Sequence, residues 1–156
     1  FLKEIGVDVW ASFIMHPDWS AADFRSLRAC IRRLRPEVTT MTALTPFSKS
    51  ALLEDYRERL LFPQTDYEKW TFGTVVIRPS KMSLRRYYVE VLKTHLYINF
   101  ASNNAGYLVR KFGMGTLFRI SAGGARILWR YIRLMLAAPE TERRATASRG
   151  AAASQS

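Results

Sequence analysis

Two histidines, His16 and His95, and a single cysteine, Cys30, are the side chains best suited to nucleophilic, acid–base or metal chemistry in this chain. None has a spacing that ties it to a nucleophile or a metal partner, so no catalytic triad or ligand set follows from them. One cysteine excludes an internal disulfide, a cysteine zinc site and a complete iron–sulfur ligand set. Cys30, between Ala29 and Ile31 in a helical pattern, reads as a buried structural thiol. His95, on the apolar side of another helical pattern, reads as a structural histidine. His16 differs, because it follows directly on an expected parallel strand, at the edge where α/β sheets bind ligands. Thr45 and Pro46 hold the equivalent place after a second strand. The loops His16–Trp19 and Thr45–Ser50 should therefore line one rim, whose backbone and apolar side chains could contact a cofactor without a charged motif. Gly113-Met114-Gly115 and Gly123-Gly124 lack the preceding strand and spacing of a phosphate-binding loop, and read as helix punctuation.

The elements that must position this rim form a strand–helix–strand–helix pattern. Val7–Met15, rich in β-branched and aromatic residues, reads as a buried strand that His16-Pro17-Asp18-Trp19 breaks. Ser20 with Asp23 resembles a capping box, and Phe24, Leu27, Ile31 and Leu34 then form one apolar stripe before Pro36. Val38–Leu44 reads as the second strand. Ser50–Leu61 reads as a helix with Glu54 and Asp55 early and Arg57 and Arg59 late, as the helix dipole favours. After a loop anchored by Tyr67, Trp70 and Phe72, Thr74–Ile77 reads as a short strand and Met82 to about Phe100 as a long helix. Its apolar side carries Leu84, Tyr88, Val91, Leu92, His95 and Leu96. Asn103-Asn104-Ala105-Gly106 reads as a break. Tyr107–Phe112 and Leu117–Ala137 read as helices separated by Gly113 and Gly115. Residues 138–156 read as a low-complexity, disordered tail.

With 156 residues, 48% of them hydrophobic, the chain has enough apolar material for a real core and is not disordered throughout. The sequence shows no secretory signal and no apolar run of about eighteen residues, and a reducing cytoplasmic setting fits best. The formal charge of +11 is uneven, with no acidic residue between Val91 and Pro139. A field of one sign this long attracts anions. Beginning at Phe1 inside a strand pattern, the chain reads as the C-terminal piece of a larger protein.

Several phrases occur in an order that resembles a known family. ASFIMHPDWSAADFRSLRACIRRL, then TALTP, then DYEKWTFGTVVIRPSKMSLRRYYVEVLKTH is similar to the C-terminal part of cobalamin-binding radical SAM enzymes. The closest likeness is to hopanoid C-3 methylases and related lipid-modifying members. The matching residues are Phe13-Ile14, Pro17, Trp19, Asp23-Phe24, Thr45-Pro46, Asp66-Tyr67, Pro79, Lys81, Leu84, Tyr87-Tyr88 and Val91–Thr94. The likeness spans Val7–Thr94, with weaker echoes to Arg133. It implies an α/β fold: the last two βα units of a partial (β/α) radical SAM barrel over residues 1–62, followed by a mainly α-helical extension over 63–137 and the tail.

The resemblance further implies a radical SAM, cobalamin-dependent methyltransferase acting on a hopanoid or another isoprenoid lipid. Its cofactors would be S-adenosylmethionine, a 4Fe-4S cluster and cobalamin. The cluster cysteines (CxxxCxxC) and the cobalamin domain of the family lie upstream, so this segment would bind neither group and alone would be inactive. Carried onto this chain, contacts to S-adenosylmethionine would fall on Ile14, His16, Pro17, Leu44 and Thr45. One departure bears on that rim. Ser48-Lys49-Ser50 stands where the family has a "PGT" turn, and its glycine allows a positive φ that lysine or serine adopts only at a cost.

Arg119, Arg126, Arg130 and Arg133 are spaced 7, 4 and 3 apart and fall within roughly 60° on a helical wheel. Phe118, Trp129 and several aliphatic residues cover much of the remainder, as in a helix that lies on a membrane surface. The expected partners are a lipid substrate and an anionic membrane, with a peripheral position at the inner membrane face. A solvated arginine stripe on a packed helix is the plain alternative. Nucleic acid is not an expected partner, because no recognised binding module accompanies the charge. Two other functions remain open at this point: a radical SAM enzyme catalysing oxidation or ring formation, and a non-catalytic basic module that binds membrane surfaces.

Overall fold

A computed structural model describes residues 5–102 and 105–153. Strand β1 (Trp10–Met15) leads through helix α1 (Ala21–Leu34) into strand β2 (Val38–Ala43). A short helix α2 (Ala51–Asp55) and a single 3₁₀ turn (Arg57–Arg59) follow. The long irregular stretch after them ends at helix α3 (Leu84–Tyr97), whose last turn widens to π geometry over Ile98–Ser102. Helix α4 (Ala105–Ala153) completes the described chain. The two strands are parallel, in register from Trp10 opposite Val38 to Met15 opposite Ala43. Together with α1 they form one βαβ unit. A barrel would need strands that the described residues do not contain.

Local signals explain α1 well. Ser20 Oγ accepts from the Asp23 backbone N–H while the Asp23 carboxylate accepts the Ser20 N–H at 2.7 Å, a complete capping box. The Ser20 backbone N–H, helped by its hydroxyl, holds the Asp23 carboxyl below its usual range. Phe24, Leu27 and Ile31 are buried as their spacing predicts. Leu34, expected in the same stripe, is exposed, because the helix ends there and Arg35 turns into the left-handed region.

The core lies on one face of the sheet. Met15, Met41 and Ala43 pack there with α1, and with Tyr87, Tyr88 and Val91 of α3, backed by Tyr131 of α4. Among the described residues, the opposite face of the sheet is open. Trp10 is 71% exposed and Ile14 59%, and Thr40 Oγ1 donates to Ser12 Oγ between them. The expectation that β1 is buried is therefore corrected: it alternates, with only one face covered.

Other expectations also need correction. Thr74–Ile77 forms no strand. It meets residues 59–61 through a single antiparallel bridge, Leu60 with Ile77, flanked by bonds from Leu61 N to Val76 O and Arg78 N to Arg59 O. The Ser50–Leu61 helix is real only to Asp55. In α3, Leu96 is exposed, whereas Tyr87 and Glu90 are buried. Of the expected break at Asn103-Asn104-Ala105-Gly106, Asn103 and Asn104 lie outside the described residues, and α4 already includes Ala105 and Gly106. The separation expected near Gly113 does occur, as a kink with φ 80° and ψ 164°, a conformation open to glycine. Beyond it the helix continues through Gly123 and Gly124.

The largest correction concerns the tail. Residues expected to be disordered from 138 onward continue α4 to Ala153, with Ala138 and Ala145 buried. Alanine is the best helix former, and tertiary contact supplies what low complexity seemed to lack. The docking is specific, because Glu142 Oε1 accepts the backbone N–H of Leu84 at 3.0 Å. Helix α3 has no acid in its own first turn, so Glu142 supplies the negative charge its N-terminus favours. Glu142→Ala is therefore expected to lower stability by about 1 kcal/mol in urea unfolding. An unchanged midpoint would show that the tail does not dock on α3.

Candidate site at the carboxyl ends of the strands

The loops that follow β1 and β2 lie side by side, joined by a bond from Leu44 N to Met15 O at 3.1 Å. The first loop is held from several directions. Tyr87 on α3 donates its hydroxyl to His16 O at 2.9 Å, and Ser80 N–H reaches Pro17 O. Asp18 Oδ1 accepts from Arg59 at 2.5 Å and from the Ser80 hydroxyl at 2.6 Å. Arg59 also donates to Arg78 O from Nε and from its terminal nitrogen, and its guanidinium lies 5.2 Å from the Tyr56 ring centre. Its charge-assisted bond holds the Asp18 carboxyl below the usual carboxylate range, against the opposing effect of burial. This node ties together the first rim loop, the 3₁₀ turn and the segment that leads into α3.

Both His16 ring nitrogens are engaged. Nδ1 accepts the Asp18 backbone N–H at 3.2 Å, which places the proton of the neutral ring on Nε2, 3.1 Å from the Tyr56 hydroxyl oxygen. Nε2 then donates to Tyr56, leaving the phenolic proton free to donate onward. His16 thus orients Tyr56 and offers a ligand no unused ring nitrogen. Pro17 is buried and acts by packing. Thr45 is half-buried and directs its hydroxyl inward to Ala43 O at 3.3 Å, with Thr71 O at 3.4 Å. Leu44 is half-buried at the rim. Of the five residues assigned to a cofactor by resemblance, Ile14 projects furthest, from the open face of the sheet.

In the second loop Lys49 has φ 61°, the left-handed conformation that a glycine adopts more easily. Ser50 then caps α2, accepting the Leu53 N–H at 3.2 Å and donating to Phe47 O at 2.7 Å. Since the left-handed region costs a side-chain-bearing residue on the order of 1 kcal/mol, Lys49→Gly is expected to stabilise the protein by up to that amount. A fall in the thermal midpoint of that variant would rule out a strained turn.

The sequence gives no warning of the Asp18–Arg59–Ser80 node, whose members stand 41 and 62 residues apart. Arg59 reads locally as a helix-dipole residue, and only the tertiary fold gives it a partner. An apolar groove of about 580 Å³ lies at the other end of the strands, where Tyr107, Phe112 and Ile120 of α4 pass Trp10 and Val38. It is remote from the rim.

On α4, Arg119, Arg126 and Arg133 are exposed as expected. Arg130 differs, because its guanidinium donates to Thr71 Oγ1 at 2.9 Å and Thr74 Oγ1 at 2.7 Å, anchoring α4 to the 71–74 turn. Gly73 lies against it, and a Cβ there would be in ordinary contact with that guanidinium at 3.4 Å. No helix among the described residues is long and apolar enough to cross a membrane. Comparison with known protein families, with curated proteins and with solved structures finds no match.

Proposed function

We propose that this chain forms the C-terminal part of a radical SAM, cobalamin-dependent methyltransferase whose substrate is a hopanoid or another isoprenoid lipid. The observation that carries the reading is the parallel βαβ unit with one face left open. Parallel sheets are normally covered on both faces, and among the described residues this one is covered on one face only. A face bearing exposed Trp10 and Ile14, with Ser12 and Thr40 between them, is suited to a barrel interior completed by further strands. The ordered phrases from Phe13-Ile14 to Val91–Thr94 support assigning such a barrel to that family.

The rim fits S-adenosylmethionine in part. Ile14 and Leu44 would offer apolar surface to its adenine, and the backbone of the two loops could meet its polar edge. His16 and Thr45 would hold those loops in shape, and Pro17 would pack beneath them. The bound cofactor would supply a radical by reductive cleavage at the cluster. Cluster and cobalamin would be held by residues other than these.

The decisive test is the reading frame preceding Phe1 together with its full product. A CxxxCxxC set there, and an anaerobically purified protein that binds a 4Fe-4S cluster and releases 5′-deoxyadenosine from S-adenosylmethionine, would support the proposal. A frame with no such cysteine set would overturn it.

A further inference from the structure

The side of α4 that turns away from the core has its own composition. Phe118, Trp129 and Leu136 are 69%, 62% and 64% exposed. They are spaced 11 and 7 residues apart, which at about 100° per residue aligns them within roughly 20°. Ala122 and Ala125 fill the gap between Phe118 and Trp129 with small exposed residues. Arg119, Arg126 and Arg133 are exposed and run along one flank of this stripe, roughly 40–100° further round the helix. The core is served by other positions, Tyr131 and Ala138, which are buried on a different side. The apolar stripe is thus additional to the surface that holds α4 in place.

We propose that this face of α4, from Phe118 to Leu136, binds the surface of an anionic phospholipid bilayer. Phe118, Trp129 and Leu136 would enter the boundary between headgroups and acyl chains. The aliphatic stems of Arg119, Arg126 and Arg133 would lie along that boundary with their guanidinium groups at lipid phosphates. The charge distribution favours this occupant over a second copy of the chain. From Val91 to Pro139 there is no acidic residue, so a self-paired face would bring arginines together without a counter-charge. It also favours a bilayer over nucleic acid, which would use the arginines and leave the apolar stripe exposed. Arg130 takes no part, because Thr71 and Thr74 hold it. The surface needs no cofactor and no barrel, so it stands independently of the proposed enzymatic role.

The test is flotation of the purified chain with vesicles of phosphatidylcholine containing roughly one-third phosphatidylglycerol. Binding at low salt, absent from pure phosphatidylcholine vesicles and released by about 0.5 M salt, is the expected result. The triple variant R119Q/R126Q/R133Q should partition about a hundredfold more weakly, at roughly fivefold per charge. F118S/W129S/L136S should also lose binding, and circular dichroism should show both variants still folded. The variant pair R32Q/R33Q, which removes exposed arginines of α1, is a control expected to bind as the parent does. Failure of the parent chain to float with anionic vesicles at low salt would overturn the proposal. So would an apolar triple variant that binds as well as the parent, which would mark a purely electrostatic surface for a polyanion such as RNA. A concentration-dependent dimer abolished by the apolar triple variant, with no flotation, would likewise overturn it and assign the stripe to self-association.

Discussion

Phe24→Ala is expected to lower the stability of the chain by about 3–5 kcal/mol and to loosen the first rim loop with it. Phe24 is fully buried, and its ring stands edge-on between Trp19, at 5.3 Å, and Tyr87, at 5.2 Å. Such aromatic contacts add to the energy of simple burial. Tyr87 in turn donates to His16 O, so the aromatic row is the floor beneath the loop that carries His16, Pro17 and Asp18. Urea unfolding gives the energy, and a red shift of tryptophan emission from Trp19 would report the loosened loop. Phe24→Leu keeps most of the volume and should cost about 1–2 kcal/mol, so the comparison survives if the alanine variant does not fold. Tyr87→Phe keeps the ring and removes only the bond to His16 O, for a loss of about 1 kcal/mol. If the alanine variant lost less than about 1 kcal/mol, α1 would not be docked on α3 as described.

Features that depend on near neighbours in the chain were legible in the sequence. Ser20 and Asp23 lie within one turn and form the capping box that their types suggest. Lys49 takes a positive φ where a glycine would be easier. Features that depend on distant partners were not. Trp10 and Ile14 belong to a run that reads as buried on both faces, yet nothing among the described residues covers one of them. The alanine-rich stretch after Pro139 reads as disorder until Glu142 meets the free N–H of Leu84, 58 residues earlier. Arg28 of α1 is a further case, because no near neighbour in the chain is its partner. In the fold it reaches Glu90 at 3.3 Å and Thr94 at 2.8 Å, clamping α1 to α3. Burial alone would raise the Glu90 carboxyl, but Lys93 and Arg28 outweigh it and hold it below the usual range. The candidate rim was legible as a place, because strand ends and their loops follow from pattern. The inward aim of Thr45 and the occupied ring of His16 were not.

His95 is expected to make the chain labile to acid. It is 7% exposed, its ring is stacked on Tyr131 of α4 at 4.8 Å, and its buried Nε2 has no hydrogen-bond partner among the described residues. Burial pushes its pKa down to about 4 from an ordinary value of 6.5. Its surroundings offer the charged ring no compensation, since Tyr131 and Tyr88 are themselves buried phenols whose pKa values burial raises. The unfolded chain takes up a proton at His95 as pH falls through 6.5, whereas the folded chain resists until about 4. Stability is therefore fully present above pH 6.5 and falls as pH drops towards 4, where the slope from this group ends. At about 1.4 kcal/mol per unit, the loss over that interval is about 3 kcal/mol. His95→Phe keeps a stacked ring and cannot take up a proton. Urea unfolding of the two proteins at neutral pH and near pH 4.5 should show a parent that weakens more than the variant by about 2–3 kcal/mol. The two proteins differ only at His95, so to first order the contributions of the carboxylates cancel in the difference. Parallel losses in parent and variant would mean that the ring of His95 already reaches water, and that α3 and α4 do not close over it.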